Sequence, residues 1–222
     1  NLFNRMPRDQ GAGLKWIDLP RLGKHISGNE IDLARYFSAS IKMHSGMTQT
    51  KFNKKRINQE VLLNAYRADP KIQVHLGLFQ LRDKSGIPIN KITRKPLGIC
   101  SSLPTYIKNC FAARGIMTIQ SFEEKKTDVN IASYLLKDAY EGKVTQAIII
   151  SNDSDLCEPL RICRDDLGIE IIAVNPITIK MKKHSRKNQL SGVATSCYEL
   201  RPGTLNQFQM PNTIIHSKYR IQ

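Results

Sequence analysis

The sequence predicts an α/β fold built on a parallel sheet, and features of its second half carry that prediction. Two short runs rich in branched apolar residues, at 146–151 and 169–174, are typical of strands buried on both faces by covering helices. A helical pattern precedes each run, over 128–140 and over 155–168. This alternation is the rhythm of parallel strands joined by right-handed crossover helices.

Each element of that series has its own local signal. A strand at 116–122 opens the series. The helix at 128–140 places one row of apolar residues on a single face: Val129, Ala132, Leu135, Leu136 and Ala139. Gly168 follows the second helix, where a glycine is a common C-terminal stop.

The first part of the chain begins with a helix signal. Asp18 is a good N-cap and Pro20 fits the first turn that follows it. Residues 31–41 then form a plausible strand.

A second helix and strand follow in the first half. The helix is predicted over 54–68, with one apolar stripe made by Ile57, Val61, Leu62 and Ala65. Residues 72–79 alternate apolar and polar side chains and predict a strand. From 80 to 114 the pattern fades into a basic, proline-containing stretch to which no element is assigned.

Length and composition favour one domain over residues 1–222, with 178–222 as a basic C-terminal extension packed on it or completing it. The chain is 41% hydrophobic, as ordinary globular proteins are, and no stretch approaches a membrane span. Its five cysteines are odd in number and show no C-x-x-C spacing, which favours neither a disulfide framework nor a zinc site. We therefore expect a cytoplasmic protein without a membrane partner.

The charge balance points to a polyanionic partner. Thirty-four Lys and Arg against nineteen Asp and Glu give a net charge of +15. Such an excess is typical of proteins that neutralise phosphates and release their counterions. The alternative is a solvated basic surface with no nucleic-acid ligand. Aromatic residues are only 7% of the chain, so contact with the backbone is favoured over stacking on bases.

Three carboxylates are the candidate chemical site. Asp153 and Asp155 follow the strand at 146–151, and Asp128 opens the helix after the strand at 116–122. The carboxyl ends of parallel strands meet at one edge of a sheet, so these side chains can converge there. An Asp cluster without His or Cys selects Mg²⁺ or Mn²⁺ over zinc. A metal-bound water at such a site can attack phosphorus, which predicts phosphodiester hydrolysis.

Each acid also has a structural alternative. Asp155 and Glu158 match a capping box, so Asp155 could simply cap the following helix. Asp128 suits the first turn of a helix, where a negative charge favours the dipole. Asp153 caps nothing obvious, and it is the acid that the structural alternative leaves unexplained.

The segment from 123 to 176 closely resembles the NYN domain, a branch of the PIN-like nucleases. It carries the pattern E-K-x-x-D-V at 124–129, followed by a strand that ends S-x-D-x-D at 151–155. The opening "NLFNR" is similar to the end of the family's D-G-F-N-L motif, with Asn1 as its Asn. The segments LKWIDLPRL, RYFSASI, VHLGLF and YELRPGTLNQFQMP are also similar to bacterial members, so the resemblance covers nearly the whole chain.

The resemblance implies a three-layer α/β/α sandwich with a mainly parallel, PIN-like or Rossmann-like sheet. It implies a Mg²⁺- or Mn²⁺-dependent ribonuclease in which Asp128, Asp153 and Asp155 are the catalytic and metal-binding acids. The family's first acid and first strand would precede Asn1 and are absent from the sequence shown. A non-catalytic RNA-binding module of the same fold is the alternative, DNA remains open as a substrate, and so does a homodimer.

Basic residues near the acids are the expected phosphate contacts. Two of them shortly precede Asp128 and flank the acidic cleft, and the others follow the last parallel strand. With Asn1, the predicted nucleic-acid-binding residues are Lys125, Lys126, Lys180, Lys182, Lys183 and Arg186. The rival interpretation is a solvated basic loop. A D-x-D pair after a strand also occurs in toprim-type and phosphatase-like domains, but the further residues that those domains need are not seen.

Overall fold

The structure is a computed structural model that describes residues 16–43, 47–86, 117–176, 189–200, 202–211, 214–216 and 219–221. The chain divides into two compact units. The first runs up to Gly77 and resumes at Lys126, and the second comprises Leu78–Lys125. No helix among the described residues has the length and apolar character needed to cross a membrane.

Helix α1, Leu19–Ser27, begins where the local residues predict. Asp18 is its N-cap, and one oxygen of its carboxylate accepts a hydrogen bond from the backbone N–H of Arg21 at 3.0 Å. The helix ends at Gly28 with φ of +77°, a left-handed conformation that glycine adopts without strain. The predicted helix start is confirmed.

Strands β1, Ala34–Ala39, and β2, Ile72–Gly86, flank helix α2, Gln49–Ala68. The two strands are parallel over Ile72–Gly77, and the helix is their crossover. The core side of α2 is confined to its C-terminal half, where Leu62, Leu63, Ala65 and Tyr66 are buried.

The predicted stripe of α2 is wrong at Ile57, whose side chain is 55% exposed. The side chain of Gln59 explains why, because it donates to the carbonyl oxygen of Ala39 at 2.8 Å, where β1 ends. The turns of α2 that precede Gln59 therefore extend past the end of β1.

In the second unit, the remainder of β2 pairs with β3, Met117–Lys125. The strand at 116–122 is confirmed, but its place in a parallel series is wrong because β3 runs antiparallel to β2. β2 also extends to Gly86, beyond the predicted end at 79. Backbone pairing sustains the strand through 81–86, where the residues show no apolar alternation.

The rest of the first unit contains the predicted alternation of helices and strands. Helix α3, Thr127–Tyr140, leads to β4, Gln146–Ile150. A 3-10 turn, Ser154–Leu156, leads into α4, Cys157–Asp165, and then β5, Glu170–Pro176. Gly168 lies between them with φ of +67°, as its predicted role as a stop requires.

The C-terminal stretch completes this second sheet. A 3-10 turn, Gln189–Gly192, precedes β6, Ser196–Leu200, and the sheet order is β4-β5-β6 with all strands parallel. Helix α5, Pro202–Gln207, follows. Two short strands, β7, Ile214–His216, and β8, Tyr219–Ile221, pair antiparallel with each other.

Strand β5 has apolar side chains on both faces, and different helices cover each face. Ile171 and Ala173 pack in a core cluster with side chains of α3 and α4. Ile172 and Val174 pack in another cluster with Leu22 of α1 and with residues of the C-terminal stretch. The predicted α/β class is therefore confirmed, with helices on each face of this sheet.

Helices α1 and α3 each cover both sheets of the first unit. Leu19 of α1 packs against the cluster of Ile72 on β2 and also against the cluster of Ile172 on β5. Leu135 of α3 packs beside β4 and β5, whereas Tyr134 lies against β2. Among the described residues β1 pairs only with β2, and β4 only with β5. The extra strand that the resemblance places before Asn1 is not among those residues.

A polar and aromatic cluster joins α3 to the first sheet. Arg35 of β1 donates to both carboxylate oxygens of Asp138 at 2.7–2.9 Å, and each side chain is only 16% exposed. The Arg35 guanidinium lies 4.7 Å from the ring centre of Tyr134, and the ring of His75 on β2 packs against the Tyr134 ring in a tilted arrangement, with ring centres 4.1 Å apart. Arg35 also lies 3.3 Å from the Nε2 atom of His75. Because arginine can only donate, this contact requires an unprotonated Nε2.

Two substitutions in α2 test whether only the C-terminal half of this helix packs in the core. Leu62→Ala should lower the free energy of unfolding by about 2–5 kcal/mol, because Leu62 is 9% exposed and packs against Tyr66 and Ile72. Ile57→Ala should change it by less than about 0.5 kcal/mol. Urea unfolding followed by circular dichroism measures both, and equal losses would contradict this description of α2.

His75 should make stability depend on pH. Burial, and then the Arg35 charge, hold the pKa of His75 below its ordinary value. The unfolded chain therefore takes up a proton first, so stability is full above about pH 6.5 and declines as pH falls toward the folded-state pKa. His75→Asn should show a smaller loss of stability between pH 7 and pH 5 than the wild type in urea unfolding. Parallel pH profiles would show that His75 makes no such contribution.

Candidate functional site

The candidate site is the polar turn that follows β4. The hydroxyl oxygen of Ser151 accepts from the backbone N–H of Asp153 at 3.2 Å. The Oδ1 atom of Asp153 then accepts from the backbone N–H of Asp155 at 3.1 Å. Asp153 is half-buried and is the N-cap of the 3-10 turn, whereas Asp155 is exposed.

This arrangement reverses the roles that the spacing suggests. Asp153 caps a helical turn, and the expectation that it caps nothing is wrong. Asp155 does not form the capping box with Glu158, because α4 has Leu156 as its N-cap with no side-chain cap bond. Glu158 instead pairs with Arg161 at 2.5 Å. The physical reason is the 3-10 turn, which places Asp155 inside the first helical turn rather than ahead of it.

Asp128 lies on a separate element, in the first turn of α3. Its side chain is exposed, and an acid in this position also favours the helix dipole. The N-cap residue of α3 is Lys126, which has φ of +78° although it is not glycine. A left-handed lysine costs backbone energy, so the surrounding structure holds this helix start in place.

The contacts of α3 show how it runs. Asp138, near its C-terminal end, bonds Arg35 at the start of β1. That same end leads into the start of β4, whereas the helix also contacts the 3-10 turn that follows the end of β4. The N-terminal end of α3 therefore lies at the edge of the first unit where β4 ends. Asp128, Asp153 and Asp155 are thus on two elements that share this edge.

The acids nevertheless do not form a ready three-ligand centre. Within the part of the chain that the structure describes, no three His, Cys, Asp or Glu side chains lie close enough together to hold a metal ion. Mg²⁺ commonly binds proteins through only one or two carboxylates and keeps several waters. The carboxylate oxygens of Asp153 and Asp155 are hard metal ligands on one turn, and they fit that chemistry. A carboxylate oxygen that accepts the capping hydrogen bond can still accept further partners.

A second loop is attached to the same turn. The backbone N–H of Gln189 donates to the Oδ1 atom of Asn152 at 2.7 Å. On the other side, β5 ends at Pro176, beside the end of β4. The described residues on both sides of 177–188 therefore lie at the edge that holds Asp153.

Asn152 is a site residue that the sequence reasoning missed. Its stretch, Ser-Asn-Asp-Ser at 151–154, has the composition of a turn in which side chains bond the local backbone. That signal could have indicated a structural role for Asn152, although not its partner 37 residues away. Asn175, at the end of β5, is a buried polar side chain at the same edge and was missed as well.

The predicted basic residues are placed only in part. Lys126 is exposed at the start of α3, two positions before Asp128. Lys125 ends β3 and belongs to the second unit. The remaining predicted contacts lie outside the described residues: Asn1, Lys180, Lys182, Lys183 and Arg186. Their roles stay predictions.

Comparison with known proteins gives one partial match to report. No family model matches the chain, and no solved structure matches it. The chain is 31% identical over 98 residues to 6-hydroxy-3-succinoylpyridine 3-monooxygenase HspA of Pseudomonas putida (strain DSM 28022 / S16). The alignment covers 39% of this chain and 31% of that enzyme, so the chain spans about a third of the relative's length. This match leaves the NYN resemblance untested.

Substitutions at the two acids of the turn should separate their structural roles. Asp153→Ala should lower the free energy of unfolding by about 1 kcal/mol, because the N-cap bond to Asp155 is lost. Asp153→Asn should stay close to the wild type, since asparagine caps equally well. Asp155→Ala should change stability by less than about 0.5 kcal/mol. Urea unfolding measures all of them, and a larger loss for Asp155→Ala than for Asp153→Ala would contradict the cap assignment.

Proposed function

We propose that this protein is a metal-dependent ribonuclease whose acidic site lies at the end of β4. The observation that carries the proposal is the polar turn in which Asp153 and Asp155 follow a buried parallel strand directly. Ligands of open parallel sheets bind outside the carboxyl ends of the strands, which is where this turn lies. The net charge of +15 supports a substrate made of phosphates.

Asp153 and Asp155 would hold a Mg²⁺ or Mn²⁺ ion, and Asp128, on α3 at the same edge, would contribute through water. Such an ion supplies an activated water and neutralises the charge that develops on phosphorus. The protein's own part is to hold Asp153 rigid through its bonds with Ser151 and Asp155, and to bring the phosphate backbone to it. Lys126, exposed beside Asp128, is suited to contact that backbone.

A non-catalytic RNA-binding module is the second candidate. It is favoured by one observation, namely that the described residues contain no three-ligand acidic group. Such a module would keep the basic surface and bind RNA without cutting it. The activity of HspA belongs to that enzyme, and an alignment over 31% of its length does not extend that activity to this chain.

Compartment and assembly belong to the same proposal. Cys157, Cys163 and Cys197 are free thiols, which suits a reducing cytoplasm. Burial raises the pKa of the Cys163 thiol, so this side chain is an unreactive part of the core. We keep a homodimer as a further expectation that the mass in solution would decide.

Cleavage of RNA by the full-length protein tests the proposal. Wild-type protein should cut single-stranded RNA with Mg²⁺ or Mn²⁺ and should stop when EDTA is added. Asp153→Asn should lower the cleavage rate at least about 100-fold, because the amide removes a charged metal ligand while keeping the cap. Asp166→Asn, at an exposed acid after α4, is the matched control and should cut normally.

The outcomes separate the candidates. Unchanged cleavage by Asp153→Asn would refute the site. RNA binding that survives EDTA, with no cleavage in any metal, would establish the binding module instead. A DNA strand of the same sequence, assayed in parallel, decides the substrate class, because the charge of the protein does not distinguish the two.

A further inference from the structure

The N-terminal half of α2 carries a row of cations that the site described above does not use. Lys51, Lys54 and Lys55 are spaced so that they lie on one side of the helix, and all are exposed. Arg56 is also exposed but lies more than 90° away around the helix axis. We call Lys51, Lys54 and Lys55 the α2 lysine row.

The α2 lysine row has no acidic partner among the residues that the structure describes. No ion pair joins these lysines to any carboxylate of the described residues. Elsewhere in the first unit, by contrast, Lys24 pairs with Glu30, Lys143 with Glu141 at 2.5 Å, and Arg161 with Glu158. Within the described part of the chain, no ion pair with a carboxylate therefore balances the positive charge of the row.

Helix physics disfavours this placement. Like charges three or four positions apart repel, as Lys51 does with Lys54 and with Lys55. Cations near the start of a helix also oppose its dipole, and the first turn of α2 contains no acid. The half-helix buries no side chain in return, because the buried residues of α2 begin at Leu62. Burial in the core therefore does not account for three lysines on one side.

The half-helix extends from the same edge of the first unit as the acids. Gln59 is bound to Ala39 and Ile41 at the end of β1, so the preceding turns of α2 lie beyond that end. Helix α3 runs antiparallel to β1, because Tyr134 lies beside Phe37 whereas Asp138, further along the helix, bonds Arg35 at the strand's start. The first turn of α3, with Asp128, is therefore also toward the end of β1.

We propose that the α2 lysine row binds the phosphate backbone of the RNA strand whose scissile bond lies at the acidic edge. The proposal rests on the proposed function for its choice of partner. Lysine ammonium groups on a solvated helix bind phosphates as point charges and read no sequence. The row extends the substrate contacts beyond the acids, onto helix α2.

Binding of single-stranded RNA in EDTA, where cutting cannot occur, tests the row. The variant Lys51→Gln/Lys54→Gln/Lys55→Gln should bind more weakly and depend less on salt. Each lost phosphate contact lowers the slope of log affinity against log salt by about 0.7, so the expected loss is about 2. Glutamine is a good helix former and removes the repulsion, so the variant should melt no lower than the wild type.

A second triple variant controls for net charge. Lys137→Gln/Lys143→Gln/Arg161→Gln removes three cations that already pair with acids, and it should change the slope by less than about 0.7, the value for one contact. Lys54→Gln against Arg56→Gln makes the same comparison within α2, and only Lys54→Gln should weaken binding. Equal losses in the two triple variants would overturn the proposal, and so would unaltered RNA binding when the row is removed.

These results are separable from the test of catalysis. If the wild-type protein binds no RNA in EDTA, the α2 lysine row is not an RNA contact and the proposal is overturned. A row that binds an acidic protein instead would give this result. Normal cleavage by Asp153→Asn together with weak binding by the row variant would remove the acidic site and leave the row standing. If the wild type cleaves RNA in a metal-dependent way and the row variant still binds RNA normally, the acidic site would stand and the row would be overturned.

Discussion

Burial of β5 on both faces is the constraint on which the first unit depends. Ile171, Ile172, Ala173 and Val174 are all buried, so consecutive side chains on opposite faces must each be covered. Helices α3 and α4 cover one face, and α1 with the C-terminal stretch covers the other. Polar side chains are excluded from the strand interior by the cost of burying them unpaired. They collect where the parallel strands end, and the acidic turn after β4 is one such place.

Local residues decided the parts of the fold that the sequence predicted well. The Asp18 cap, the Gly168 stop and the runs that became β4 and β5 depend on neighbours within a few positions. The partner of β3 does not, because a strand pattern is the same whether its neighbour runs parallel or antiparallel. The extent of the core stripe on α2 was likewise unpredictable, since it depends on where β1 ends beneath the helix. Pattern predicts the type of an element, whereas tertiary contacts decide its partners and its buried length.

The candidate site divides in the same way. Its location after β4 followed from an apolar run that ends in two acids, and the structure bears out that polar turn. Which acid caps it did not follow, because a single intervening 3-10 turn moves the cap from Asp155 to Asp153. The bond between Asn152 and Gln189 joins segments 37 residues apart, and no local pattern reports such a pair. The position of Asp128 relative to the other acids depends on how α3 packs against the β1–β2 sheet and the β4–β5–β6 sheet, which is a tertiary property that local patterns do not report.

The role of Asp153 as a helix cap is compatible with a role as a metal ligand. A carboxylate that accepts a backbone N–H through one oxygen is held in a single orientation. A rigid charge beside an exposed one, Asp155, needs little rearrangement to bind a cation, and that is the requirement for a preorganised site. The structural role of Asp153 is therefore part of what would make the pair effective. Substituting it by asparagine rather than alanine separates the two roles, because the amide keeps the cap and loses the charge.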